Sequence, residues 1–141
     1  MVGIIVTGHA HFATGITSSV ELLGGPQEAY IPVDFDDSVD KLEQDLEAAM
    51  QTLKNEDGII VFADLVGGSP FKTAVTVSMK HEKVEVIGGA NLGMICEIAL
   101  SRTMGLDLET LAEMAISAGT NSIARFKLAA NFEETVEEDG I

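Results

Sequence analysis

Gly3-Ile-Ile-Val-Thr-Gly-His9-Ala-His-Phe-Ala-Thr-Gly15 passes within thirteen residues from an apolar run through a glycine to a helical pattern. Its first half is a short, largely β-branched apolar run, the mark of a strand buried on both faces. Gly8 ends that run and His9 stands directly behind it. Ala13, Ile16, Val20 and Leu23 then recur at helical spacing. A glycine turn thus carries an imidazole from a buried strand to the mouth of a helix. In open α/β sheets ligands bind at the rim outside the carboxyl ends of the strands, and His9 is predicted to stand there.

Working outward, Gly24-Gly25-Pro26 breaks the chain and residues 30–35 form a second strand. Pro32 inside it points to a sheet edge, where a missing amide donor is tolerated. Asp36-Asp37-Ser38 offers a helix cap, and Val39, Leu42, Leu46, Ala49, Met50 and Leu53 make an apolar stripe behind it. Residues 59–63, apolar throughout, give a third strand that runs into Asp64-Leu-Val-Gly-Gly-Ser-Pro-Phe71. Ser69 reads as a hydroxyl cap with Pro70 at the first helical position, opening a helix through residue 80. His81, just beyond that helix, is expected to face solvent. Residues 84–87 form a fourth strand ending at Gly88-Gly89-Ala90. Helical patterns follow over 92–103 and, capped by Asp107, over 108–118. Residues 122–128 alternate in a way that suits a last strand.

This alternation predicts an α/β fold: a doubly wound sheet, parallel through four strands, with helices on both faces. One domain spans residues 1–130, and the acidic stretch 131–141 reads as a mobile tail. At 141 residues, with 46% hydrophobic and 22% charged, the chain suits one sizeable core. No apolar run reaches the roughly 18 residues of a membrane span. No basic segment precedes the first strand, so no secretory signal is expected. Cys96, the one cysteine, excludes an internal disulfide and reads as a buried thiol. Together these features predict a cytoplasmic protein. The net charge of −15 repels nucleic-acid phosphates and excludes nucleic acid as a partner class.

If the first and third strands are neighbours, His9, Asp64 and the helix start at Ser69 converge at one end of the sheet. An imidazole is a nucleophile near neutral pH. A carboxylate on one ring nitrogen fixes the tautomer, leaves the other lone pair free and stabilises the cation formed on attack. Gly67 and Gly68, beside a helix N-terminus, expose backbone amides suited to a tetrahedral anion. The combination suits a phosphohistidine. A lone rim histidine is more often a bystander, and Asp64 alone could be a turn former, so the weight rests on their joint placement.

Val6-Thr-Gly-His9, Phe62-Ala-Asp64-Leu-Val-Gly-Gly-Ser-Pro-Phe71 and Val86-Ile-Gly-Gly-Ala-Asn91 resemble the IIA component of the mannose family of the bacterial phosphoenolpyruvate:sugar phosphotransferase system, in register over residues 2–128. The resemblance implies a phosphotransferase component, a phosphoprotein serving sugar transport. His9 would accept phosphoryl from the phosphocarrier HPr and pass it to a IIB component, with the membrane components IIC and IID further down the relay. Asp64 would support the histidine, Ser69 would bond the phosphoryl, and no cofactor is implied. It also implies a homodimer in which a final antiparallel strand, here about 122–128, is exchanged between subunits. Ala10 departs from the pattern, since many relatives carry glycine after the histidine. His11 has no counterpart role and reads as a surface or packing residue.

Two other readings stay open on sequence alone. Proteins of the same fold donate phosphoryl to a dihydroxyacetone kinase. His9-Ala-His11 with Asp64 could instead hold zinc or iron in a metal-dependent hydrolase, although no further ligand is placed to complete such a site, and no metal is expected.

Overall fold

The computed structural model describes residues 1–36 and 38–128. Strands β1 (Gly3–His9), β2 (Tyr30–Phe35), β3 (Ile59–Ala63) and β4 (Val84–Ile87) alternate with helices α1 (Phe12–Gly24), α2 (Val39–Thr52), α3 (Ser69–Ser78) and α4 (Leu92–Ser101). A 3-10 turn at Arg102–Met104 and helix α5 (Leu108–Asn121) follow. The sheet order is β2-β1-β3-β4 and every pairing is parallel. The expected doubly wound α/β architecture is therefore present. Pro32 lies in edge strand β2, as its missing donor requires.

Strand pleating divides the core. Ile4, Val6, Ile60 and Phe62 point into one cluster with Val20 of α1, Ile95 and Ile98 of α4 and Leu111 and Ala115 of α5. Ile5, Ile59 and Val61 point the other way, onto Leu42, Leu46 and Met50 of α2 and Ala74 and Val77 of α3. Strands buried on both faces need apolar side chains at every position, which explains the unbroken runs at 4–6 and 59–63. At the amino end of the sheet the buried Arg102 guanidinium donates to the carbonyls of Val2 and Ala29, each at 3.0 Å, and also to Glu28. These bonds tie the starts of β1 and β2 to the end of α4.

Several expectations need correction. Residues 123–128 form no strand in the single chain, and α5 runs on to Asn121. A strand needs a neighbouring strand to pair with, and among the described residues the sheet is β2-β1-β3-β4 alone; Ile123 and Leu128 lie exposed. Helix α3 ends at Ser78, short of residue 80, and α4 gives way to the 3-10 turn at Arg102. His81 does not face solvent. Its side chain is 11% exposed because the ring folds back onto α2, with Nε2 at 2.6 Å from Glu47 Oε2. Cys96 is half-buried. The tail at 131–141 lies outside the described residues. Among the described residues no helix is long and apolar enough to cross a membrane.

Candidate functional site

The chain lays β2 on one side of β1 and then crosses to place β3 on the other, so the winding reverses between β1 and β3. The carboxyl ends of two such strands open a crevice, since their following connections leave in opposite directions. His9 closes β1, and Asp64 follows the last residue of β3.

Asp64 Oδ2 lies 2.8 Å from His9 Nδ1 and accepts the His9 backbone amide, also at 2.8 Å. Its Oδ1 accepts the Leu65 amide at 2.8 Å. Burial pushes the Asp64 pKa up, but the His9 amide, the His9 ring and the Leu65 amide together outweigh it. The carboxyl is held below the ordinary 3.8. A carboxylate can only accept, so in the neutral imidazole the proton between the two groups sits on Nδ1 and the lone pair is on Nε2. The His9 side chain is 44% exposed, open enough for a reacting group to reach.

The other wall is the start of α3. Gly67 adopts φ +83°, a left-handed turn that glycine takes without steric penalty. A Cβ on Gly68 would stand 2.8 Å from His9 Cε1 and 3.5 Å from Nε2, so only glycine lets the helix start approach the ring this closely. Ser69 is not the cap. Gly68, in extended backbone, holds that position, and Ser69 with Pro70 opens the first turn without a side-chain cap bond. The shift suits proline, whose fixed φ fits the first turn. The Ser69 and Phe71 amides have no acceptor within the helix, and Pro70 has no amide to offer. Ser38 caps α2, Asn91 caps α4 and Asp107 caps α5. Asp34 takes the Thr14 amide of α1 at 3.0 Å. Among the described residues, α3 alone begins without a side-chain acceptor on its amides, and that beginning faces His9.

Two residues of this rim escaped the sequence reading. The Phe35 ring meets the His9 ring edge-on, with centroids 5.9 Å apart. Asp34 Oδ2 lies 3.3 Å from His11 Nδ1. Both residues end β2, and the strand-end logic that singled out Asp64 applies to them equally. His11 is exposed and turned to Asp34, so each histidine engages its own carboxylate rather than converging on one point. Among the described residues no three His, Cys, Asp or Glu side chains are grouped to hold a metal ion.

Residues 3–116 match the family model described as the PTS system fructose IIA component, the mannose-type EIIA family. The chain belongs to this family. It is 27% identical over 128 residues to the mannose-specific EIIAB component of Escherichia coli K12, a match covering 89% of this chain and 40% of that protein. This chain thus spans about two fifths of that relative's length. It is 28% identical over 100 residues to the sorbose-specific EIIA component of Lacticaseibacillus casei, covering 70% of this chain and 72% of that one. The crystal structure of the phosphotransferase system component EIIA from Streptococcus agalactiae superposes with a TM-score of 0.82. Its identity is 32%, with 89% of this chain and 98% of that one covered. The expected mannose-family IIA fold and family are thereby established.

Proposed function

We propose that this protein carries phosphoryl on His9 Nε2 in a sugar phosphotransferase system, receiving it from phospho-HPr and delivering it to a IIB component. The observation that carries this reading is the pairing of His9 Nδ1 with Asp64 at 2.8 Å, beside a helix start that the Gly68 backbone brings up to the ring. Nε2 attacks the phosphorus of the donor phosphohistidine. The donor P–N bond breaks, its electron pair returns to the donor imidazole, and a new P–N bond forms at Nε2. The His9 ring becomes cationic and Asp64 stabilises it across the Nδ1–H bond. The amides of Ser69 and Phe71 and the Ser69 hydroxyl are the groups that would bond the phosphoryl oxygens, aided by the positive end of α3. Transfer to IIB runs the same step in reverse.

The protein works, in this reading, as a cytoplasmic homodimer and contacts the IIC and IID membrane components only through IIB. The family relation supports this part of the reading, and the site geometry supports the chemistry at His9. The test is incubation with phosphoenolpyruvate, enzyme I and HPr, followed by intact mass measurement. Wild type and His11→Ala should gain one acid-labile phosphoryl and lose it on addition of IIB, whereas His9→Ala should gain none. Label persisting on His9→Ala would overturn the assignment.

A further inference from the structure

We propose that Asp34 is a positioning residue for His9, capping α1 from the neighbouring strand and so fixing the turn that aims the imidazole at α3. The role of this carboxylate rests on the phosphoryl-acceptor reading of His9. His11, the residue in the cap position of α1, contributes no side-chain cap bond. Asp34, 20 residues beyond the Thr14 whose amide it accepts, does so instead. Its Oδ1 accepts the Thr14 amide at 3.0 Å, and its Oδ2 accepts the Thr14 hydroxyl at 2.8 Å and faces the His11 ring at 3.3 Å. One carboxylate thus gathers three groups from the start of α1.

The next residue of β2 completes the clamp. Phe35 pairs with His9 in the parallel register, its carbonyl accepts the Ala10 amide at 2.6 Å, and its ring lies against His9. Ala10 sits at φ +50°, a left-handed conformation that an L side chain holds only where its surroundings over-determine it. Those surroundings are Asp34 and Phe35. Asp64 fixes the ring of His9 from one side while Asp34 fixes the backbone behind it from the other. Asp34 also occupies the N-terminus of α1 with negative charge, which leaves the start of α3 as the end open to an anion.

The test compares Asp34→Ala, Asp34→Asn and Thr14→Val by two readouts. One is steady-state phosphoryl transfer from phospho-HPr; the other is long-range proton–nitrogen NMR of the His9 ring in the unphosphorylated protein. Asp34→Ala should lower kcat about tenfold, the scale of a small misalignment of reacting groups, with KM for phospho-HPr nearly unchanged. Its His9 ring signals should shift from the single Nδ1-protonated form to a tautomer mixture. Asp34→Asn keeps an oxygen for the Thr14 amide and should recover most of both readouts. Thr14→Val, which keeps the amide bond and loses the hydroxyl, should show a smaller change of the same kind and serves if Asp34→Ala does not fold. Wild-type kcat with unchanged His9 ring signals in these variants would overturn the proposal. If wild type itself carries no phosphoryl, the functional reading fails while the ring signals still decide whether Asp34 positions His9.

Discussion

Asp64 spends both carboxylate oxygens on its neighbours, so a substitution there does more than remove charge. Asp64→Asn can present its amide nitrogen to Nδ1 and invert the hydrogen bond that fixes the tautomer. The analogous change in a catalytic triad lowers the rate by about four orders of magnitude. In the proposed reaction a reactive phosphoryl donor would supply much of the driving force, so a loss of about a hundredfold in transfer rate is expected. Rapid-quench kinetics with phospho-HPr measures it, and a wild-type rate would contradict the role. Ala10 carries a cost of another kind. Left-handed backbone costs an L residue about 1–2 kcal/mol, while glycine gives back about 0.4–1 kcal/mol through its more disordered unfolded chain. Ala10→Gly should therefore stabilise the protein by between about 0 and 1.6 kcal/mol, read from urea midpoints. A loss of stability would contradict that balance. His9 and Asp64 were legible in the sequence because each is a reactive side chain at the end of an apolar run. The role of Asp34 was not, because it depends on which strand lies beside β1, and nothing local to residue 34 records that.

At the scale of elements, the site depends on how closely α3 approaches β1. Gly68→Ala would place a methyl 2.8 Å from His9 Cε1, so the ring or the helix start must move. We expect transfer to fall about tenfold or more while the thermal midpoint changes little, since the residue lies at a rim rather than in the core. Circular dichroism melts and transfer rates on the same preparation check both halves, and an unchanged rate would refute the contact's importance. Helix α2 was legible from its apolar stripe, and the strands from their unbroken runs. The cap of α3 was misplaced by one residue because both Gly68 and Ser69 are acceptable caps, and Pro70 tolerates either register. Helix α5 was ended too soon at Gly119, which reads as a stop. In the structure Gly119 is interior to the helix, where a Cβ would clash with Met94 Cε and where its carbonyl accepts the Asn91 side chain. Close packing, not chain termination, explains that glycine.

At the scale of the whole molecule, β2 and β4 leave the two edges of the sheet open. Pro32 makes β2 a poor acceptor of another strand, so β4 is the edge at which residues 122–128 of a second subunit would pair. The alternation of 122–128 was legible, but within one chain residues 123–128 form no strand, so their pairing with a second subunit stays a proposal. Truncation after Ser122 should give monomer or aggregate in light scattering, whereas truncation after Ala130 should stay dimeric. A stable dimer lacking 123–141 would rule the exchange out. The parallel sheet followed from alternating elements, whereas the order β2-β1-β3-β4, which brings the site together, is a long-range property. In the proposed reaction β1 and β3 together deliver a histidine whose Nε2 takes the phosphoryl while Asp64 holds Nδ1. Phosphorus and nitrogen NMR of the protein phosphorylated by phospho-HPr tests it most directly. One phosphoryl is expected on His9 Nε2, with the Nδ1 proton still bonded to Asp64. A phosphoryl on Nδ1 of His9, or on His11, would contradict it.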